Sequence, residues 1–123
     1  MRSTWIPMRE RGEIWLAQLG PRSGRAPGKT RPVLLVQAKA LLDAGHPSTI
    51  VIPLTTNLAE DAQPLRIRVP AQGKLREDSD LLIDQLRAVD NRLLVRGPLT
   101  TLPAHLMSRV GQAICEVLDI ESG

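Results

Sequence analysis

Three short segments place residues capable of phosphate or base chemistry at the ends of strand-like runs: Lys29-Thr30-Arg31-Pro32, Pro53-Leu54-Thr55-Thr56 and Asp84-Gln85-Leu86-Arg87. An arginine guanidinium is planar, permanently charged and able to hold two phosphate oxygens at once, and a threonine hydroxyl donates one further hydrogen bond. Singly, each has a plainer reading. Arg31 reads equally as a surface arginine paired with Glu13 or Asp84, and Thr55 as a strand-end hydroxyl capping a turn. Other chemistries lack their residues. His46 and His105 are isolated from any His or Cys at ligand spacing, and Cys115 is the only cysteine, so a zinc cluster, a CxxC site and an intrachain disulfide are excluded. Asp78 and Asp80 read as a solvated loop in preference to a magnesium site. No GxxxxGK[ST] or GxGxxG motif occurs, and Ser108 and Cys115 lie on a helical stretch without a nearby histidine, which argues against nucleotide-binding and familiar hydrolase chemistry.

Charge points toward an anionic partner. The 123 residues hold 16 Lys+Arg against 13 Asp+Glu, a net charge of +3, and the excess is concentrated: residues 1–38 carry seven basic side chains against Glu10 and Glu13. Most of the cations are arginine, whose fork suits phosphates and base edges. With no Phe or Tyr, the aromatic platforms of an RRM or a single-strand-binding OB-fold are missing. Stacking would fall to Trp5 or Trp15, and Trp15 reads as core. No apolar run approaches the ~20 residues that span a bilayer, and residues 1–11 lack a signal-peptide core. These features together lead to the expectation of a cytoplasmic protein with no membrane contact.

The elements that must position these groups are short. Residues 12–19 alternate as a strand, residues 20–30 (GPRSGRAPGKT) read as a long basic loop, and residues 31–37 as a buried strand with Pro32 near its start. Residues 38–44 fit a helical turn stopped by Gly45, and residues 49–54 a third strand. In residues 65–69 (LRIRV), Leu65, Ile67 and Val69 face one way and Arg66 and Arg68 the other, the pattern of an edge strand whose cations face solvent. Residues 80–85 predict a strand continuing or bending through Val89, and residues 93–99 a last strand. Pro103 then opens a helix capped by Thr101, with Leu106, Val110, Ala113, Ile114, Val117 and Leu118 as its apolar stripe. Five or six short strands with one terminal helix predict a mainly β, α+β fold: a small curved sheet or partial barrel formed by residues 11–120, preceded by an N-terminal extension, residues 1–10.

Four elements in order, RGEIWLAQL, KTRPVLLVQ, VIPLT and DQLRAVDNRLL, give the chain a resemblance to the MazF/PemK toxins across about residues 11–118. The resemblance implies an SH3-like β-barrel with a C-terminal α-helix, and a homodimer inhibited by a MazE-like antitoxin. It also implies a sequence-specific, metal-independent endoribonuclease that cuts single-stranded mRNA to 2′,3′-cyclic phosphate and 5′-hydroxyl ends without a cofactor. The family's catalytic arginine before proline falls on Arg31, and its threonine after Pro-Leu on Thr55. Arg25, Lys29, Thr56, Asn57, Asp84, Gln85 and Arg87 are then expected to bind RNA, with Gln85 reading a base edge and Asp84 orienting Arg31 or accepting from a base. Some members carry a histidine in the first loop and an arginine two residues before the DQ aspartate; here those positions hold Arg25 and Leu82, which sets aside a mechanism built on those two groups. The rival implied by the same barrel is a CcdB-like toxin that binds and poisons a protein such as DNA gyrase and cuts nothing.

Overall fold

The computed structural model describes residues 8–20 and 29–121. The chain runs β1 (Glu13–Leu19), β2 (Lys29–Leu35), α1 (Lys39–Asp43), β3 (Ser48–Thr55), β4 (Arg66–Val69), β5 (Ser79–Leu82), β6 (Arg87–Asp90), β7 (Leu94–Thr101) and α2 (Ala104–Leu118). All pairings are antiparallel, in the order β4-β5-β3-β2-β1-β7, with β6 also paired to β3. This is the expected mainly β sheet with a C-terminal helix, with seven strands where five or six were expected.

The central strands have no polar face because both of their faces are covered. Ile14, Leu34, Ile52 and Leu54 pack with Leu106, Met107, Val110 and Ala113 of α2 and with Ile67, Val69 and Leu81 of β4 and β5. The alternate residues Trp15, Ala17, Val33, Leu35 and Val51 pack with Val89 and Leu94, brought over the opposite face by β6 and β7. Each such side chain contributes about 1.5–3 kcal/mol on burial, so the two cores hold β1, β2 and β3 firmly.

Local chemistry moves several boundaries. Lys29 and Thr30 belong to β2, paired with Leu19 and Gln18 of β1, so Pro32 sits inside the strand and not at its head. The predicted strand at 80–85 is cut short: Ile83 is drawn into the core and Ile83–Gln85 forms a 3-10 turn between β5 and β6. Thr101 is not a helix cap; it pairs with Glu13 as the last residue of β7, and Pro103 occupies the cap position. Leu65 and Leu118, both expected on apolar faces, are about half exposed.

Trp15 is core, as expected, and therefore not a stacking platform. Its Nε1 donates to Glu13 Oε1 at 2.9 Å, and its ring packs against Gly97 of β7. A Cβ at position 97 would stand 2.6 Å from Trp15 Cγ, and the held ring has no room to yield. Gly97→Ala is therefore expected to destabilise the protein by about 1–3 kcal/mol through overpacking. The measurement is urea unfolding, in which the midpoint falls while the denaturant slope is unchanged.

Candidate active site

The site begins where β2 and β3 stop pairing. Their register joins Leu35 to Val51, Leu34 to Ile52 and Val33 to Pro53, and there the ladder ends. Arg31 and Thr55 each lie two residues beyond that last pair, on the face that carries Val33 and Val51. On its other edge β3 pairs with β6 through Ser48–Val51 and with β5 at Leu54 and Thr55. Pro53 lies in the gap between those two partners, where a residue without an N–H costs no ladder bond on that edge. Beyond it β2 and β3 separate, and Arg31 and Thr55 face a common opening.

That opening is a cleft of about 420 Å³ lined by Leu19, Gly20, Lys29, Arg31, Pro53, Leu54, Thr55, Arg66, Leu82, Gln85 and Arg87. Among the described residues four cations line it and no carboxylate does, an arrangement that attracts polyanions. Arg31 is half-buried and forms no ion pair with any described residue, so neither Glu13 nor Asp84 is its partner. Glu13 is occupied elsewhere, accepting from Trp15 Nε1 and from the Glu10 N–H. Thr55 Oγ1 accepts the Asn57 N–H at 3.1 Å, which leaves the hydroxyl proton free to be donated into the cleft.

Beneath these groups lies a feature that the sequence reading assigned to solvent. Asp80 is buried in β5, directly opposite Thr55 on one side and Arg68 on the other. Its carboxylate accepts Arg68 Nε at 2.6 Å, the Ala59 N–H at 2.9 Å and Arg66 Nη1 at 3.4 Å. Burial acts to raise its pKa, but the bonds from Arg68 and the Ala59 N–H outweigh burial and hold it below the ordinary aspartate value. Asp80 is therefore a charged anchor and not part of a solvated loop. Arg66 and Arg68 correspondingly belong to a partly buried ion-pair group and not to a solvated edge. Two arginines on one strand face, with an aspartate inside the apolar run of the neighbouring strand, were the signal available for this pairing.

The cleft brings together Lys29, Arg31, Thr55, Gln85 and Arg87 of the expected site residues and adds Arg66. Gln85 gets there through the 3-10 turn, which also leaves Asp84 exposed beside it, outside the lining. Thr56 and Asn57 are exposed immediately after β3, at the rim and not in the lining. Arg25 lies outside the described residues, as does Trp5. Among the described residues no cluster of three His, Cys, Asp or Glu is placed to hold a metal ion.

Comparison with known proteins places the chain in a family. The family model described as PemK-like, MazF-like toxin of type II toxin-antitoxin system matches residues 10–118. The chain belongs to this family. PemK/MazF-like relatives include the endoribonuclease MazF6 of Mycobacterium tuberculosis, 32% identical over 111 residues that cover 89% of this chain and 96% of that protein. The endoribonuclease MazF of Staphylococcus saprophyticus is likewise 32% identical over 111 residues, covering 87% of this chain and 88% of that one. In fold, the chain is similar to the MazE-MazF crystal structure (Form-II) from Deinococcus radiodurans, with a TM-score of 0.77 at 20% identity, covering 94% of this chain and all of that chain. The sheet and C-terminal helix are thus those of PemK/MazF-like toxins.

Proposed function

We propose that this toxin is an endoribonuclease that cleaves single-stranded mRNA at specific sequences without a metal ion. One observation carries the proposal: Arg31 and Thr55 line one cleft, whose lining among the described residues has four cations and no carboxylate, in a chain whose relatives are named endoribonucleases. The ribose 2′-oxygen attacks the adjacent phosphorus, the bond to the 5′-oxygen breaks, and a 2′,3′-cyclic phosphate and a 5′-hydroxyl remain. Negative charge grows on the phosphorane between those steps. Arg31 takes two of its oxygens in its fork, and the Thr55 hydroxyl donates to one, stabilisation that is strongest as charge develops. The described lining has no His, Asp or Glu to act as base, so the side chains contribute electrostatics and water carries the protons. Gln85 on its turn is placed to read a base edge.

The same cleft cations suit the disordered tail of a MazE-like antitoxin, and a homodimer would join two clefts into one longer groove. Among the described residues no helix is long and apolar enough to cross a membrane; the mRNA that the toxin acts on is that of the cytoplasm. The gyrase-poison alternative is not favoured, because the relatives are endoribonucleases by name.

The test is incubation with a long structureless RNA in EDTA, followed by mapping of fragment 5′ ends. Cuts at one short recurring sequence are the expected outcome. Intact RNA from protein that still arrests growth would overturn the proposal in favour of toxicity by binding.

A further inference from the structure

Arg66 is the cleft cation that the family pattern did not point to. It begins β4, two strands from β3, with Arg66 opposite Leu82 and Thr55 opposite Asp80 in β5. Two strand spacings and a two-residue offset along the strand place its backbone roughly 12 Å from that of Thr55, yet its side chain lines the same cleft. Arg66 Nη1 donates to the Asn57 carbonyl at 2.8 Å and, less closely, to Asp80 Oδ2 at 3.4 Å. Its Nε and Nη2 have no partner among the described residues.

The way Asp80 is shared makes this free edge significant. Asp80 is shared between two arginines, and Arg68 has the closer hold at 2.6 Å, with Glu60 as a second partner at 3.1 Å. The carboxylate is therefore largely committed to Arg68. Arg66 is held through Nη1 by the Asn57 carbonyl and, more loosely, by Asp80, which leaves its Nε and Nη2 without a partner among the described residues while its side chain lines the cleft.

We propose that Arg66 grips a phosphate of the RNA other than the one being cleaved, and that Asp80 is the residue that positions it. The proposal rests on the cleft being the RNA groove. Its guanidinium is held on the Asn57 carbonyl, beyond the end of β3, and on this proposal it contributes to binding and register and not to the chemical step. Asp80 serves both ends of this arrangement: the oxygen nearest Arg66 also holds the Ala59 N–H, tying the segment after Thr55 to the same anchor.

The experiment measures binding of a non-cleavable 2′-O-methyl RNA of mixed sequence across a salt series, alongside kcat and KM on cleavable RNA. Arg66→Ala is expected to weaken binding about tenfold and to flatten the plot of log affinity against log salt by about 0.7, the contribution of one phosphate contact to a single strand. KM should rise while kcat stays within about threefold. Arg66→Gln, which keeps a donor toward Asn57, guards against local collapse and should show the same flattening, whereas Arg109→Ala on α2 should not. Asp80→Asn separates positioning from simple charge: it adds positive charge to the site, yet should weaken binding if Asp80 aims Arg66. A wild-type protein that cleaves normally, with unchanged slope and KM in both Arg66 variants, overturns this proposal alone, as does tighter binding by Asp80→Asn. A wild-type protein that neither binds nor cleaves RNA overturns the endoribonuclease reading and this one with it.

Discussion

Arg31→Ala is expected to lower RNA cleavage about a thousandfold or more in single-turnover assays and to leave the fold unchanged. Loss of one neutral donor to a developing oxyanion costs about 10²–10³ in rate. A charged fork that contacts two oxygens is the stronger case, because charge-assisted bonds are roughly twice as strong as neutral ones. Arg31 is half-buried and pairs with no described carboxylate, so its removal leaves no orphaned partner, and stability should shift by no more than about 0.5 kcal/mol. Unfolding curves of the two proteins should superpose. Arg31→Lys should recover only part of the rate, because an ammonium restores the charge but not the two-point geometry. Equal cleavage by wild type and Arg31→Ala in EDTA would remove Arg31 from the chemistry.

The pair of residues was legible in the sequence through family resemblance; their juxtaposition was not. Periodicity revealed β1, β3, β4 and most of α2, because an apolar stripe or alternation is a local property of the chain. The strand pairing that brings Arg31 and Thr55 to one cleft is non-local, and Pro53 alone does not announce that it fills a gap between two partner strands. The turn at Ile83–Gln85 was hidden for a related reason. Leu81, Leu82 and Ile83 all suit a strand, and only the pull of the core on Ile83 breaks the run and presents Gln85 to the cleft. Thr101 has the chemistry of a helix cap, but the ladder to Glu13 claims it first. Asp80 was misread because aspartate is usually solvated. Its burial depends on two arginines arriving from β4 and on the Ala59 N–H, partners between 12 and 21 residues away.

The second large effect belongs to Thr55. Thr55→Val keeps the shape of the side chain and removes its hydroxyl, and should reduce kcat about a hundredfold with little change in KM, the signature of an interaction made chiefly in the transition state. The hydroxyl also accepts the Asn57 N–H, so the loss could in principle reflect a displaced loop. Asp80 argues against that, since it holds Ala59 independently, and the exposed Asn57 amide can turn to water at a cost of under about 1 kcal/mol. Thr55→Ser, which keeps the donor, should therefore retain activity within a few-fold of wild type. Because Thr55 and Arg31 act on the same phosphorane, their losses should not add: the double variant Arg31→Ala/Thr55→Val is expected to be little slower than Arg31→Ala alone. Additive losses would mean that the two side chains serve separate steps, with Thr55 acting through the loop and not on the phosphate.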